Sequence, residues 1–101
     1  MEKPVVTITY CAGCRWMLRA AWMAQEILST FEAEVGGVLL RVGSGGIFEI
    51  RVGEHLVFSR AIEGGFLEIK EIKRRLRDLI APGKSLGHIE RASPSSPPAE
   101  S

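Results

Sequence analysis

Residues 4–9 read Pro-Val-Val-Thr-Ile-Thr, a run dominated by β-branched residues. Behind it, from Arg15 to about Glu34, apolar residues recur at helical spacing, and then a period of two returns. This succession of strand, helix and strand is the strongest constraint on the fold. β-Branched residues fit a pleated strand. A strand–helix–strand unit within one sheet turns right-handed, which makes its two strands parallel. Apolar residues on both sides of the first run (Val5, Val6, Ile8) predict a strand buried in the middle of the sheet.

In the helix, Met17, Ala21, Ala24, Leu28 and Phe31 form the predicted core stripe, widened by Ala20 and Ile27. Arg15, Arg19, Gln25 and Glu26 fall on the other side, and Trp22 falls off the stripe as a candidate exposed contact. Gly36-Gly37 predicts the helix end. Three alternating runs follow. Val38, Leu40 and Val42 alternate with Leu39 and Arg41; Phe48, Ile50 and Val52 with Ile47, Glu49 and Arg51; Leu56 and Phe58 with His55, Val57 and Ser59. One apolar face per strand predicts a sheet covered by helices on one side. Gly53-Glu54 suits a two-residue hairpin turn with Gly first. A second helix is predicted over 67–80, with Ile69, Ile72, Leu76, Leu79 and Ile80 inward, and Pro82-Gly83 stops it. The expected order is β-α-β-β-β-α over a single domain, residues 1–90. The Ser- and Pro-rich remainder, 91–101, is expected to be a disordered tail.

A chain of 101 residues, 46% of them hydrophobic, builds one core without disulfide staples. A formal net charge of +1 sets up no field toward nucleic acid or acidic lipid. Lys70, Lys73, Arg74, Arg75 and Arg77 make the second helix look basic, but Glu68, Glu71 and Asp78 offset them. A solvated face with pairs such as Arg74–Asp78 is expected there, with no nucleic-acid partner. No run reaches the roughly 18–20 apolar residues of a membrane helix. Residues 1–4 run into the first strand without the apolar region of a signal peptide. A cytoplasmic protein with no membrane partner is the expectation. In that reducing compartment a close cysteine pair is catalytic or metal-binding more often than a structural bridge.

Both cysteines stand in Tyr10-Cys11-Ala12-Gly13-Cys14, where the first strand meets the helix. Two intervening residues put the sulfurs within reach of one another. At a helix start, free N–H groups and the dipole favour a thiolate, the species that attacks disulfides. Ala12 and Gly13 are small and leave a client sulfur room to approach, and Arg15 adds positive charge. Strand, CxxC and helix in that order form the thioredoxin-like redox context. Metal fits less well. Structural zinc takes four ligands, and His55 and His88 lack the spacing to complete a set. No Gly-rich phosphate loop opens a helix, so no bound organic cofactor is expected. Tyr10 and Trp16 flank the pair, either as lids on the core or as an apolar rim for a client.

Residues 43–46, Gly-Ser-Gly-Gly, join the second and third strands. They span the roughly 10 Å of two strand spacings, at about 3.3–3.6 Å per residue. The link can therefore cross the end of the first strand, giving the order 2-1-3-4, or close a local hairpin between strands two and three. In the first arrangement residues 10–14, 43–46 and 60–66 meet at one end of the sheet, the usual place for a site in an open sheet.

The stretches TYCAGCRWMLRAAWMAQEILSTF and GGIFEIRVGEHLVFSRAIEGGFLEIKEIKRRLRDLIAPGKSLGH resemble the selenoprotein W-like (Rdx) family across residues 5–89. The resemblance rests on CxxC, the Phe48-Glu49-Ile50 strand, the Gly64-Gly65-Phe66 loop, the Arg77–Ile80 helix end and Leu86-Gly87-His88. It implies a thioredoxin-like fold with a four-stranded mixed sheet and two helices. It also implies thiol redox chemistry through Cys11 and Cys14, with a protein client and glutathione as candidate partners. Gly64, Gly65 and Phe66 become candidate partner-binding positions, although Phe66 also suits a core or staple role. The family often has proline after Gly-Gly-Phe, where this chain has Leu67. Helix-start geometry favours Cys11, as the more exposed sulfur, for the first attack. The resemblance favours Cys14, which occupies the selenocysteine position of animal relatives. The expected function is thiol–disulfide exchange. The alternative is a non-catalytic module whose partner contacts switch with the pair's oxidation state.

Overall fold

The computed structural model describes residues 2–87. The expected tail and His88 lie outside them. Strand β1 (Val5–Cys11) leads to helix α1 (Met17–Phe31), then strands β2 (Gly37–Gly43), β3 (Phe48–Val52) and β4 (His55–Ser59). A short helix α2 (Arg60–Glu63) and helix α3 (Ile69–Ile80) follow. The sheet order is β2-β1-β3-β4, with β1 and β2 parallel and the remaining pairs antiparallel. This is the thioredoxin-like arrangement. The 43–46 link crosses the end of β1, and the local-hairpin alternative does not form.

One face of the sheet is covered. Val6, Ile8 and Tyr10 of β1 join Phe48, Ile50, Val52 and Phe58 beneath Ala20, Met23, Ile27 and Phe31 of α1 and Ile69, Ile72 and Leu76 of α3. The other face, with Val5 exposed and Thr7 and Thr9 half-buried, is open. β1 is therefore central in the sheet yet buried on one side only.

Several boundaries and faces differ from expectation. α1 begins at Met17, because Arg15 takes a left-handed conformation (φ 62°) that a helix cannot include. It ends at Phe31, before Gly36-Gly37 is reached; the Gly36 N–H instead bonds the Pro4 carbonyl and starts the pairing of β2 with β1. Its buried stripe is Ala20, Met23, Ala24, Ile27 and Phe31, while Met17 and Leu28 are exposed. That rotation brings Trp22 against the core. In β4 a bulge opposite Ile50–Arg51 breaks the alternation, so Val57 and Phe58 are both buried and Leu56 is exposed. In β2, Val38 and Leu40 pack on the core, but Val42 is exposed. α3 starts at Ile69 rather than Leu67, and Leu67 packs against the core. Arg74 pairs with Glu71 and Asp78 with Arg77, not with each other. Lys73 is not on a solvated face: it is buried and bonds Glu26 of α1.

Candidate functional site

β1, β2 and β4 all end on one side of the sheet, so the Cys11–Cys14 turn, the 43–46 crossing and the 60–66 segment meet there. The parallel ladder runs to Cys11 opposite Gly43, and the Ala12 N–H extends it with a 3.1 Å bond to the Gly43 carbonyl. A turn then closes with the Arg15 N–H on the Ala12 carbonyl. Cys14 stands in this turn, before the helix and outside its first turn.

The two thiols are free, and the Cys14 sulfur donates to the Cys11 sulfur at 2.6 Å. Their exposures reverse the expectation. Cys11 is 3% exposed, whereas Cys14 is exposed. Cys11 shares the open-face parity of Val5, Thr7 and Thr9, so the helices do not cover it, and it lies outside the core cluster. The crossing loop lies against it instead. Gly45 and Gly46 adopt left-handed conformations (φ 71° and 81°), which only glycine takes easily, and the Gly46 N–H favours the Cys11 thiolate.

The electrostatics of the pair are asymmetric. The Cys14 thiol holds the Cys11 pKa below its ordinary value, helped by backbone N–H groups of Gly46, Cys14 and Gly13, against the opposing effect of burial. Cys14 is raised, first by giving its hydrogen bond to Cys11, then by desolvation and the Cys11 charge, while the Gly46 N–H and, last, Arg60 pull it back down. Helix-start geometry was expected to supply this thiolate stabilisation. The Cys14 thiol supplies most of it and the loop and turn amides the rest, and the cation acting on Cys14 is Arg60 rather than Arg15. Two opposite shifts are therefore expected on removing either partner. In Cys14→Ala the Cys11 pKa rises, and in Cys11→Ala the Cys14 pKa falls. Thiolate ultraviolet absorbance followed against pH measures both; shifts of the same sign would contradict the assignment.

Trp16 caps α1 by position and packs edge-on to Phe66 (5.3 Å between ring centroids) and Phe48 (6.1 Å). Phe66 also meets Phe48 at 5.0 Å. These separations suit edge-to-face aromatic contacts. Trp16 and Phe66 thus form an aromatic wall at the edge of the core, and Tyr10 points into it. Ala12 and Gly13 are exposed in the turn, and a Cβ placed on Gly13 meets nothing within 4 Å. Gly64, left-handed at φ 81°, ends α2, and Gly65 follows half-buried.

Hydrogen bonds fix the 60–66 segment, among them one from the Gly65 N–H to the Arg60 carbonyl at 3.2 Å. Ser59 Oγ accepts from the Ile62 N–H, the carbonyl of Arg60 accepts from the Gly64 N–H, and Arg75 binds the Glu63 carboxylate with both terminal nitrogens. Arg75 also donates to the carbonyl of the bulge residue Val57, and it holds the Glu63 carboxyl below its usual range. Arg60 and Gly46 had no individual signal in the sequence beyond their place in the predicted walls. Among the described residues no three of His, Cys, Asp and Glu gather as a metal-ligand set, and no helix is long and apolar enough to cross a membrane.

The family model described as the Rdx family matches residues 5–78. A solved structure from Bordetella parapertussis is 48% identical and covers 78% of this chain and 100% of its own, with a TM-score of 0.76. The crystal structure of a selenoprotein W-related protein from Vibrio cholerae is 46% identical, covering 77% of this chain and 98% of its own, with a TM-score of 0.74. No curated protein matches the chain. The matched span holds the Cys11–Cys14 pair and every strand, and this chain belongs to the Rdx, selenoprotein W-related family, as a member with a redox-type CxxC pair.

Proposed function

We propose that the pair carries out thiol–disulfide exchange, with Cys14 meeting the client and Cys11 resolving. The observation behind this reading is the division of labour between the sulfurs: Cys14 is exposed, while Cys11 is buried and favoured as the thiolate. A buried sulfur cannot align with an external disulfide, but it can align with one already formed on its neighbour. In the first step Cys14 passes its proton to the Cys11 thiolate along their hydrogen bond and bonds one client sulfur, and the other leaves, taking that proton from Cys11, as a thiol. In the second, the Cys11 thiolate attacks Cys14, the intramolecular disulfide forms, and the client thiol leaves. Two monothiols such as glutathione return the pair to dithiol and depart as their disulfide.

A protein client is supported by the apolar side chains around this end of the sheet. Val42 and Ile62 are 67% and 75% exposed, with Leu18 also exposed in the first turn of α1. Small surrounding residues at 12 and 13 leave the approach open.

Single-cysteine trapping tests the order. Incubated with a protein disulfide, Cys11→Ser is expected to accumulate a mixed disulfide on Cys14, and Cys14→Ser to accumulate none. Accumulation by Cys14→Ser alone would reverse the roles. A wild-type protein that forms its internal disulfide but shows no turnover would replace exchange with a redox-gated binding module.

A further inference from the structure

Uncompensated charge is unevenly distributed: of the described cations without a carboxylate partner, Lys3 lies before β1 and Arg41 in β2, and the other three are arginines near the cysteines. Of the described carboxylates, Glu2, Glu32 and Glu54 make no ion pair, and all lie away from the cysteines: before β1, after α1 and in the β3–β4 turn. At the cysteine end the reverse holds. Arg15, Arg19 and Arg60 have no carboxylate partner among the described residues, and Glu63 beside them is occupied by Arg75.

Two of these arginines lie on the aromatic wall. The Arg60 guanidinium is 4.9 Å from the Trp16 ring centroid and 5.3 Å from that of Phe66. Arg19 lies 4.3 Å from the same Phe66 ring. Ring faces hold a guanidinium in place without neutralising it. The terminal nitrogens keep their donors for a planar anion, and the two groups share one ring. Arg60 Nε is buried with no hydrogen-bond partner, an uncommon condition in a folded protein. Stacking, not hydrogen bonding, sets the position of this side chain. The Arg60 charge acts on Cys14.

We propose that Arg60 and Arg19 form a carboxylate-binding subsite beside Cys14, so that the protein prefers disulfides bearing a carboxylate near the attacked sulfur. The inference rests on Cys14 as the attacking sulfur. The subsite binds the carboxylate; Cys14, its proton taken by the Cys11 thiolate, bonds the adjacent substrate sulfur; the other half takes that proton from Cys11 and leaves as a thiol. Cys11 then displaces the carboxylate-bearing thiol and closes the internal disulfide. The carboxylate can belong to a small disulfide or to an acidic residue next to a protein cystine.

Cys11→Ser isolates the first step, because its Cys14 cannot be resolved. Its rate constants are measured with dithiodipropionate, hydroxyethyl disulfide and cystamine, which are anionic, neutral and cationic. The anionic substrate is expected to react about tenfold faster than the cationic one, with the ratio falling as salt rises. Adding Arg60→Gln with Arg19→Gln brings the ratio near one, while Arg60→Lys retains most of it. The same thiolate reacts in every case, so any change in its pKa cancels from the ratio. A disulfide-linked peptide with aspartate beside its cysteine, compared with its asparagine counterpart, separates a protein source from a small one. A wild-type ratio near one, or a ratio unmoved by the double glutamine substitution, overturns the subsite. Failure of the neutral disulfide to react at all overturns the exchange reading itself.

Discussion

Gly43→Val is expected to lower stability by about 1–3 kcal/mol, the range of overpacking a filled site, and to raise the Cys11 pKa with it. A Cβ on Gly43 would lie 2.7 Å from Ile47 Cγ2, 3.0 Å from Thr9 Cγ2 and 3.3 Å from the Tyr10 carbonyl. Ile47 Cγ2 moves only with χ1, which is stiff in a β-branched residue, so relief takes an unfavourable χ1 change or backbone movement in the loop. That backbone continues from Gly45-Gly46, whose amide helps hold the Cys11 thiolate, and the Gly43 carbonyl accepts from Ala12. Steric relief and site geometry are therefore coupled through four residues of loop. Denaturant unfolding gives the stability, and thiolate absorbance in a Cys14→Ala background gives the pKa. Gly13→Ala is the control, since its added Cβ meets nothing and its stability should stay within about 0.5 kcal/mol. A Gly43→Val protein with unchanged stability and unchanged Cys11 titration would contradict the close packing.

The features legible in the sequence were those that repeat or that the chain length enforces. Alternation in β3 and the β-branched run of β1 carried the strands, and the reach of residues 43–46 allowed the crossing the structure adopts. The phase of α1 was not legible because its apolar residues nearly encircle it. Met17, Leu18, Ala20, Ala21, Met23, Ala24, Ile27, Leu28 and Phe31 satisfy two stripes at helical spacing, and only packing against the sheet selects the one through Met23. The β4 bulge was hidden for a related reason. One extra residue at Val57 inverts the alternation from that point, and its carbonyl is satisfied by Arg75, distant in sequence.

The cysteines were found at once because CxxC names its own chemistry. What tunes them was less visible. The Gly46 donor is a backbone N–H, common to every residue but proline, so its role depends on the loop passing over Cys11. Burial of Cys11 and exposure of Cys14 follow from the same crossing and from the turn that delays α1 until Met17. A helix beginning at Arg15 would have brought Cys14 into helical amides; the left-handed Arg15 prevents it.

Lys73→Ala is expected to destabilise the fold by about 2–4 kcal/mol, and Lys73→Met by clearly less. Lys73 is 2% exposed, and its Nζ lies 2.9 Å from Glu26 Oε1, joining α3 to α1. Alanine removes the aliphatic stem as well as the charge and strands Glu26. Breaking a buried pair from one side costs about 3–5 kcal/mol. The Glu26 side chain remains 25% exposed, so water recovers part of that cost. Methionine keeps the stem and fills the space, so the gap between the two variants measures packing, and the remaining loss measures the pair. The clamp lies midway along α1, whereas the cysteines precede its first turn. Lys73→Met should therefore leave the Cys11 and Cys14 titrations unchanged while lowering the unfolding midpoint. Movement of those titrations with Lys73→Met would mean that the α1–α3 contact, and not the 43–46 crossing alone, sets the position of the pair.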